Sequence, residues 1–278
     1  MVINWYPGHM VKARREIENN LKLVDLVVVL LDARAPFSCR NMDLEKMVRK
    51  KPIVMVLNKI DLADDDKTLR YIERLKEEGF KAAGIDSITG RGAREVLKII
   101  GEAYKPIADR MIARGRRLRP ARVMVVGVPN TGKSSFLNCL VGRKIAHTGA
   151  KPGVTRGKQW IRVREDIEFM DTPGLMWPKI ESEEQGLKLS LLDIIGENAY
   201  QEEEVALFLI KILRELKPDV LENRFKISSF VGTELDLLEE IGRKRGYLVK
   251  GGEVDLGKTA RMLLIDFRKG VLGKMSLD

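Results

Sequence analysis

Gly127-Val-Pro-Asn-Thr-Gly-Lys133-Ser134 has the Gly-x-x-x-x-Gly-Lys-Ser spacing of a phosphate-binding loop. Glycines at those positions let successive main-chain N–H groups wrap an anion, the lysine reaches the outer phosphates, and the hydroxyl after it ligates Mg2+. Pro129, Asn130, Thr131, Gly132, Lys133, Ser134 and Ser135 are therefore the expected phosphate-side residues. A second run, Asn58-Lys-Ile-Asp61, suits a guanine base. Asp61 is an acceptor-only carboxylate, and guanine shows two adjacent N–H donors where adenine shows an acceptor and a C–H. Asn58 would hold the base edge and neighbouring loops, and the stem of Lys59 would cover the base plane. GTP and GDP are thus the expected ligands.

The order of the two runs is unusual, because a guanine-reading tetrapeptide normally follows a phosphate loop. A circular permutation explains it: termini of compact domains lie at the surface and close together, so they can be rejoined elsewhere. Three more segments fit the same site. Asp171-Thr-Pro-Gly174 follows the apolar stretch Ile167 to Met170, so Asp171 could hold Mg2+ and the Gly174 N–H could face the γ-phosphate. Thr155, in Lys151-Pro-Gly-Val-Thr-Arg156, is the best candidate for a switch hydroxyl that closes on Mg2+ only when that phosphate is present. Asp86-Ser87, with Gly90 and Gly92 behind it, stands where a second base-contacting loop belongs, although a simple turn explains the same residues.

Positioning these groups requires strands that end beside one another. Val24 to Asp32, Pro52 to Leu57, Lys81 to Ile85 and Arg122 to Val126 are short apolar or β-branched runs, alternating with helical patterns over Asn41 to Arg49, Lys67 to Glu78 and a stretch through Tyr104. The alternation predicts an α/β fold with a doubly wound, mostly parallel sheet. Open sheets of this kind bind ligands at the carboxyl ends of their strands, which is where both runs fall. Trp5-Tyr-Pro-Gly-His9 leads into a helix over Met10 to Leu23. Beyond Gly174 the pattern turns helical, with apolar faces at Val205, Phe208, Leu209, Ile212, Leu213 and Leu216 and again at Leu256, Ala260, Leu263, Leu264 and Phe267. The expected division is a permuted nucleotide-binding domain over 1–178 and a small all-helical domain over 179–278.

The 278 residues, 44% hydrophobic and 32% charged, suffice for a full core. Cys39 and Cys139 are far apart and outside any Cys-x-x-Cys pair, which argues against a disulfide framework or zinc site. No signal-peptide segment is evident and Leu26 to Leu31 is too short to cross a bilayer, so a cytoplasmic protein with no stable membrane association is expected. The net charge of +10 favours polyanions. Lys105, Arg110, Arg114, Arg116, Arg117, Arg119 and Arg122 oppose Asp109 alone, a stretch suited to RNA phosphates; Lys258, Arg261 and Arg268 form a sparser set at helical spacing.

Taken in order, Trp5-Tyr-Pro-Gly-His-Met10, Asp32-Ala-Arg-Ala-Pro36, Asn58-Lys-Ile-Asp61, the phosphate loop, Pro152-Gly-Val-Thr155 and Asp171-Thr-Pro-Gly174 resemble the ribosome biogenesis GTPase A family over almost the whole chain. The resemblance implies a circularly permuted Ras-like domain and a helical RNA-binding domain, acting with rRNA in late assembly of the large ribosomal subunit. Ras-type enzymes place a water-orienting glutamine after Asp-x-x-Gly, but Leu175 stands here. His9, which the resemblance puts near the switches, and His147 are alternatives, or the ribosome completes the site. Asn130 resembles the phosphate-loop asparagine of potassium-dependent GTPases, so K+ is a further candidate cation. Two rival readings stand: a slow nucleotide-gated RNA-binding protein, favoured by Leu175, and a GTPase acting on the small subunit or on tRNA.

Overall fold

The computed structural model describes residue 15 and residues 17–142, 160–170, 180–227 and 232–278. These fall into two compact units, one holding the described residues up to 170 together with 274–278, the other holding 180–227 and 232–273.

The first unit is built on a six-stranded sheet in the order β3-β2-β1-β4-β6-β5. β1 (Leu26–Asp32) reads Leu-Val-Val-Val-Leu-Leu-Asp and is buried along its whole length. β-branched residues with restricted χ1 favour such a strand, and burial on both faces is what a central parallel strand requires. Each buried Val or Leu contributes roughly 1.5–3 kcal/mol relative to an exposed one. β2 (Ile53–Asn58), β3 (Lys81–Ile85), β4 (Ala121–Val126) and β6 (Ile167–Met170) extend the parallel array, and β5 (Trp160–Arg164) closes it antiparallel to β6. β5 is an addition to the expected strands.

Helices cover both faces, as the doubly wound reading requires. α1 (Met42–Val48) and α2 (Asp65–Glu77) follow β1 and β2, capped by Asn41 and Asp64. On the opposite face α3 (Ala93–Ala113) lays Val96, Ile100 and Tyr104 against β3, β2 and β1, and α4 (Lys133–Val141) adds Phe136, Leu137 and Leu140. The helix expected through Tyr104 runs on, past Pro106, to Ala113. A proline forfeits one helix hydrogen bond, but Ile107 and Ala108 continue the apolar stripe against the core and offset that loss. Residues 17–21 are helical, inside the helix expected over 10–23.

The second unit contains α5 (Glu183–Leu191), α6 (Glu202–Leu216), α7 (Pro218–Phe225), α8 (Glu234–Arg245) and α9 (Leu256–Arg268). Its core joins Val205, Leu209 and Leu213 of α6 to Leu237, Leu238 and Ile241 of α8 and to Ala260, Leu263, Leu264 and Phe267 of α9. Most of the apolar stripes of α6 and α9 is thus spent on packing, although Leu216 at the end of α6 stays exposed. Residues 274–278 follow these helices in sequence yet pack with the sheet-bearing unit. No helix among the described residues is long and apolar enough to cross a membrane.

Candidate nucleotide-binding site

β1 outruns β4 at the carboxyl edge of the sheet: Val29 pairs with Val126, while Asp32 pairs with Asn58 of β2. The loop leaving β4 therefore passes directly alongside Leu30. A Cβ at Gly127 would stand 2.5 Å from the Leu30 carbonyl oxygen, so only glycine fits there. The loop then turns through Asn130 (φ 58°) and Gly132 (φ 91°) into α4. Thr131 is buried and its Oγ1 donates to the Val128 carbonyl at 2.9 Å. The Lys133 ammonium also lies inward, 3.2 Å from the Gly127 oxygen and 2.9 Å from that of Val128. α4 begins at Gly132 with no side-chain cap. An uncapped helix start behind a glycine-rich turn is suited to an anion, since its N–H groups and the helix dipole both favour negative charge.

The base-reading run meets this loop through side chains. Asn58 Nδ2 donates to the Thr131 carbonyl at 2.8 Å, and its Oδ1 accepts from Ser87 Oγ at 2.7 Å. Lys59, at φ 62°, donates to the Asn130 carbonyl at 2.7 Å and pairs with Asp32 at 3.0 Å. Asn58 thereby joins three loops. Asp86 is spent within its own turn, accepting from Ile88 N at 2.8 Å, Thr89 N at 3.3 Å and Thr89 Oγ1 at 2.5 Å. Burial opposes its ionisation, but these bonds prevail and its carboxyl lies below its ordinary range. Ser87, rather than Asp86, carries the contact to the rest of the site. The half-buried Asp61 has its carboxyl raised, chiefly by burial and further by the nearby Asp86.

Gly132 has no room for a side chain: a Cβ would lie 2.5 Å from Asn58 Nδ2, on a backbone that L residues rarely adopt. Gly132→Ala should weaken GDP binding by about 10- to 100-fold, the scale of the local strain involved. Fluorescence titration with a labelled GDP checks this; an unchanged affinity would mean that Asn58 and the loop do not act together.

Asp32 and Arg34, both within the Asp32-Ala-Arg-Ala-Pro36 motif, form a buried ion pair at the end of β1. Asp32 is fully buried, with Arg34 Nε and NH2 donating at 2.9 and 2.8 Å and Lys59 at 3.0 Å. Burial alone would raise its carboxyl, but Arg34 first and Lys59 second outweigh it and hold it well below the usual carboxylate range. A charged residue ending an otherwise wholly apolar strand is the sequence signal that marks it.

Ser134, half-buried in the first turn of α4, fits the hydroxyl ligand that a nucleotide-borne Mg2+ takes from such a loop. Thr155, Asp171 and Gly174, like His9, His147 and Leu175, lie outside the described residues. Of the basic stretch, Arg119 pairs with Asp25 at 2.7 Å and Arg122 with Glu168 at 2.7 Å, both structural uses. Arg114, Arg116 and Arg117 are exposed, with no ion pair to a described residue at hand. In the helical unit, Lys258 lies over the Tyr247 ring, Arg261 pairs with Glu202 at 3.0 Å, and Arg268 donates to the Ser190 and Leu191 carbonyls and to Tyr200.

Comparison with known proteins agrees with this geometry. The family described as 50S ribosome-binding GTPase matches residues 122–235. Ribosome biogenesis GTPase A of Bacillus cereus is 40% identical over 278 residues, covering 100% of this chain and 94% of the relative. The protein of that name from Thermotoga maritima is 32% identical over 280 residues, 99% of this chain and 94% of its own. Mitochondrial ribosome-associated GTPase 1 of Mus musculus is 32% identical across 100% of this chain and 90% of its own. Among solved structures, GNP-bound YlqF from T. maritima superposes with a TM-score of 0.68 at 28% identity, covering 96% of this chain and 97% of that one. A GDP-bound YlqF structure does so with a TM-score of 0.68 at 27% identity, covering 95% and 98%. With its phosphate loop downstream of its base-reading run, and with full-length relatives at these identities, the chain belongs to the ribosome biogenesis GTPase A family.

Proposed function

We propose that this GTPase acts as an assembly factor in late maturation of the large ribosomal subunit, in the cytoplasm, with its nucleotide state gating contact with rRNA. The single observation that carries the nucleotide half is the tie of Asn58 and Lys59 to the carbonyls of Thr131 and Asn130, which makes one site of two runs in inverted order. The ribosomal half draws support from the names of the relatives. Asn58, Lys59, Asp61 and Ser87 take the base; Asn130 to Ser135 take the phosphates; Ser134 takes Mg2+ together with Thr155 and Asp171; K+ would sit by Asn130. Lys133 and the Gly174 N–H would stabilise the charge that develops on the transferred phosphoryl group. Arg114, Arg116 and Arg117 are the RNA contacts best supported by exposure, with Lys258 and Arg261 after them; Arg268 is taken up inside the helical unit. Gating requires RNA affinity to differ between GTP and GDP states, since a nucleotide that binds both conformations equally shifts nothing.

Hydrolysis in Mg2+ with K+ or Na+, with and without isolated large and small subunits, tests this. Large subunits alone should raise turnover by about tenfold or more, because a group supplied in trans can complete a site lacking glutamine. Binding to those subunits should be tighter with a non-hydrolysable GTP analogue than with GDP. Tight GTP binding without stimulation by either subunit would instead favour a slow nucleotide-gated RNA-binding protein.

A further inference from the structure

Residues 275–278 close over the two loops that frame the base-reading run. Met275 N donates to the Leu62 carbonyl at 3.1 Å and Leu277 N to the Arg34 carbonyl at 2.6 Å. Ser276 Oγ accepts from Asp64 N at 3.1 Å. The Asp278 carboxylate accepts from Phe37 N at 2.8 Å, Ser38 N at 3.1 Å and Ser38 Oγ at 2.6 Å. Lys67 Nζ of α2 donates to the main-chain oxygens of Ser276 and Asp278, at 3.1 and 3.2 Å, and Tyr71 OH donates to the latter as well. Met275 and Ser276 are buried. The loops so engaged are those that follow β1 and β2.

Asp61 lies between two anchors. On one side Lys59 is fixed to the Asn130 carbonyl and to Asp32; on the other, Leu62 and Asp64 are fixed to Met275 and Ser276. The first anchor belongs to the nucleotide site itself, whereas the second comes from a segment that follows the whole helical unit in sequence. We propose that residues 275–278 are a positioning strap that holds Asp61 in its base-reading geometry, so that docking of this segment and binding of guanine nucleotide reinforce each other. This rests on Asp61 reading guanine. Coupling of this kind is reciprocal: if the docked strap raises nucleotide affinity, bound nucleotide must favour the docked strap by the same factor.

The test compares GDP with inosine diphosphate, which keeps the ring N–H but lacks the exocyclic amino group that Asp61 would engage. In the full chain, the Ser276→Ala/Asp278→Ala variant should lose about tenfold of its preference for GDP over the inosine nucleotide, the scale of one hydrogen bond to a charged group. A loss of general stability would weaken both nucleotides alike and leave their ratio intact. An unchanged ratio in the variant, beside a parent that discriminates, would overturn the strap alone. A parent unable to discriminate would overturn the reading of Asp61 and the strap with it. Hydrogen exchange on the unaltered protein gives a second decision that needs no variant. GDP should slow exchange at the Met275 and Leu277 amides together with residues 59–64; slowing at 59–64 without any change at Met275 and Leu277 would overturn the coupling.

Discussion

Asp61→Asn should reduce GDP affinity by about 10²- to 10³-fold and give the protein a preference for xanthine nucleotides. The carboxylate would accept from both guanine N–H groups, and bonds to an ionised acceptor are each worth roughly 1.5–3 kcal/mol. An amide keeps one acceptor and turns an N–H donor towards the second guanine donor, which adds a mismatch to the loss. Xanthine carries a carbonyl in place of that amino group, so the same amide N–H finds an acceptor there. Parallel titrations with GDP and xanthosine diphosphate check the exchange, and a variant that still prefers GDP would remove Asp61 from base recognition. The raised carboxyl of Asp61 adds a pH signature. Ionised Asp61 binds best, so affinity is full at neutral pH and falls on acidification. The fall begins at a higher pH than for an ordinary aspartate, near 3.9 in its unperturbed state.

The second large effect is on stability. Asp32→Ala leaves Arg34 buried without its partner carboxylate and takes from Lys59 one of its two anchors. Breaking a buried pair from one side costs about 3–5 kcal/mol, much of it from the stranded charge. Urea unfolding followed by circular dichroism should record a loss of that size, and Asp32→Ala/Arg34→Met should recover a substantial part by removing the second charge. A single variant as stable as the parent would mean that Arg34 finds other solvation. The acid behaviour follows from the sign of the shift. Because the folded-state carboxyl is depressed, its stabilisation is present above the ordinary aspartate range and fades only as pH falls through the lower folded value.

How legible these features are in the sequence depends on their physical kind. β1 and β2 are continuous apolar runs, and β4 one interrupted only by Arg122, whose burial on both faces leaves a clear trace, and the loops at their ends carry glycine, lysine and acid types in one chain. β5 left little trace. As an edge strand of sequence Trp-Ile-Arg-Val-Arg it buries fully only Ile161, and its arginines resemble those of a loop. The length of α3 was obscured by Pro106, a helix breaker overruled by packing of Ile107 and Ala108. Base and phosphate runs are chemically distinctive by themselves, but the burial of Asp32 with Arg34, two residues on, shows only in the fold, and the Asp32–Lys59 pair and the segment 275–278 depend on partners far apart in the chain. Arg119 and Arg122 show the converse, since their charge suggests RNA whereas Asp25 and Glu168 claim them for the fold. Polar residues do not state in sequence whether they face water, a ligand or each other.

The place of β1 between β2 and β4 also has a consequence for biosynthesis. β1, β2 and β3 are neighbours both in sequence and in the sheet, so a nascent chain can assemble its base-reading half before the phosphate loop has been translated. Until Ala121–Val126 emerges, β1 carries one open edge of unpaired N–H and C=O groups on a strongly apolar strand. At translation rates of about 5–20 residues per second this exposed interval lasts on the order of seconds. The newborn protein is therefore unable to grip GTP during its most aggregation-prone stage, and nucleotide can stabilise the fold only after the central edge has closed.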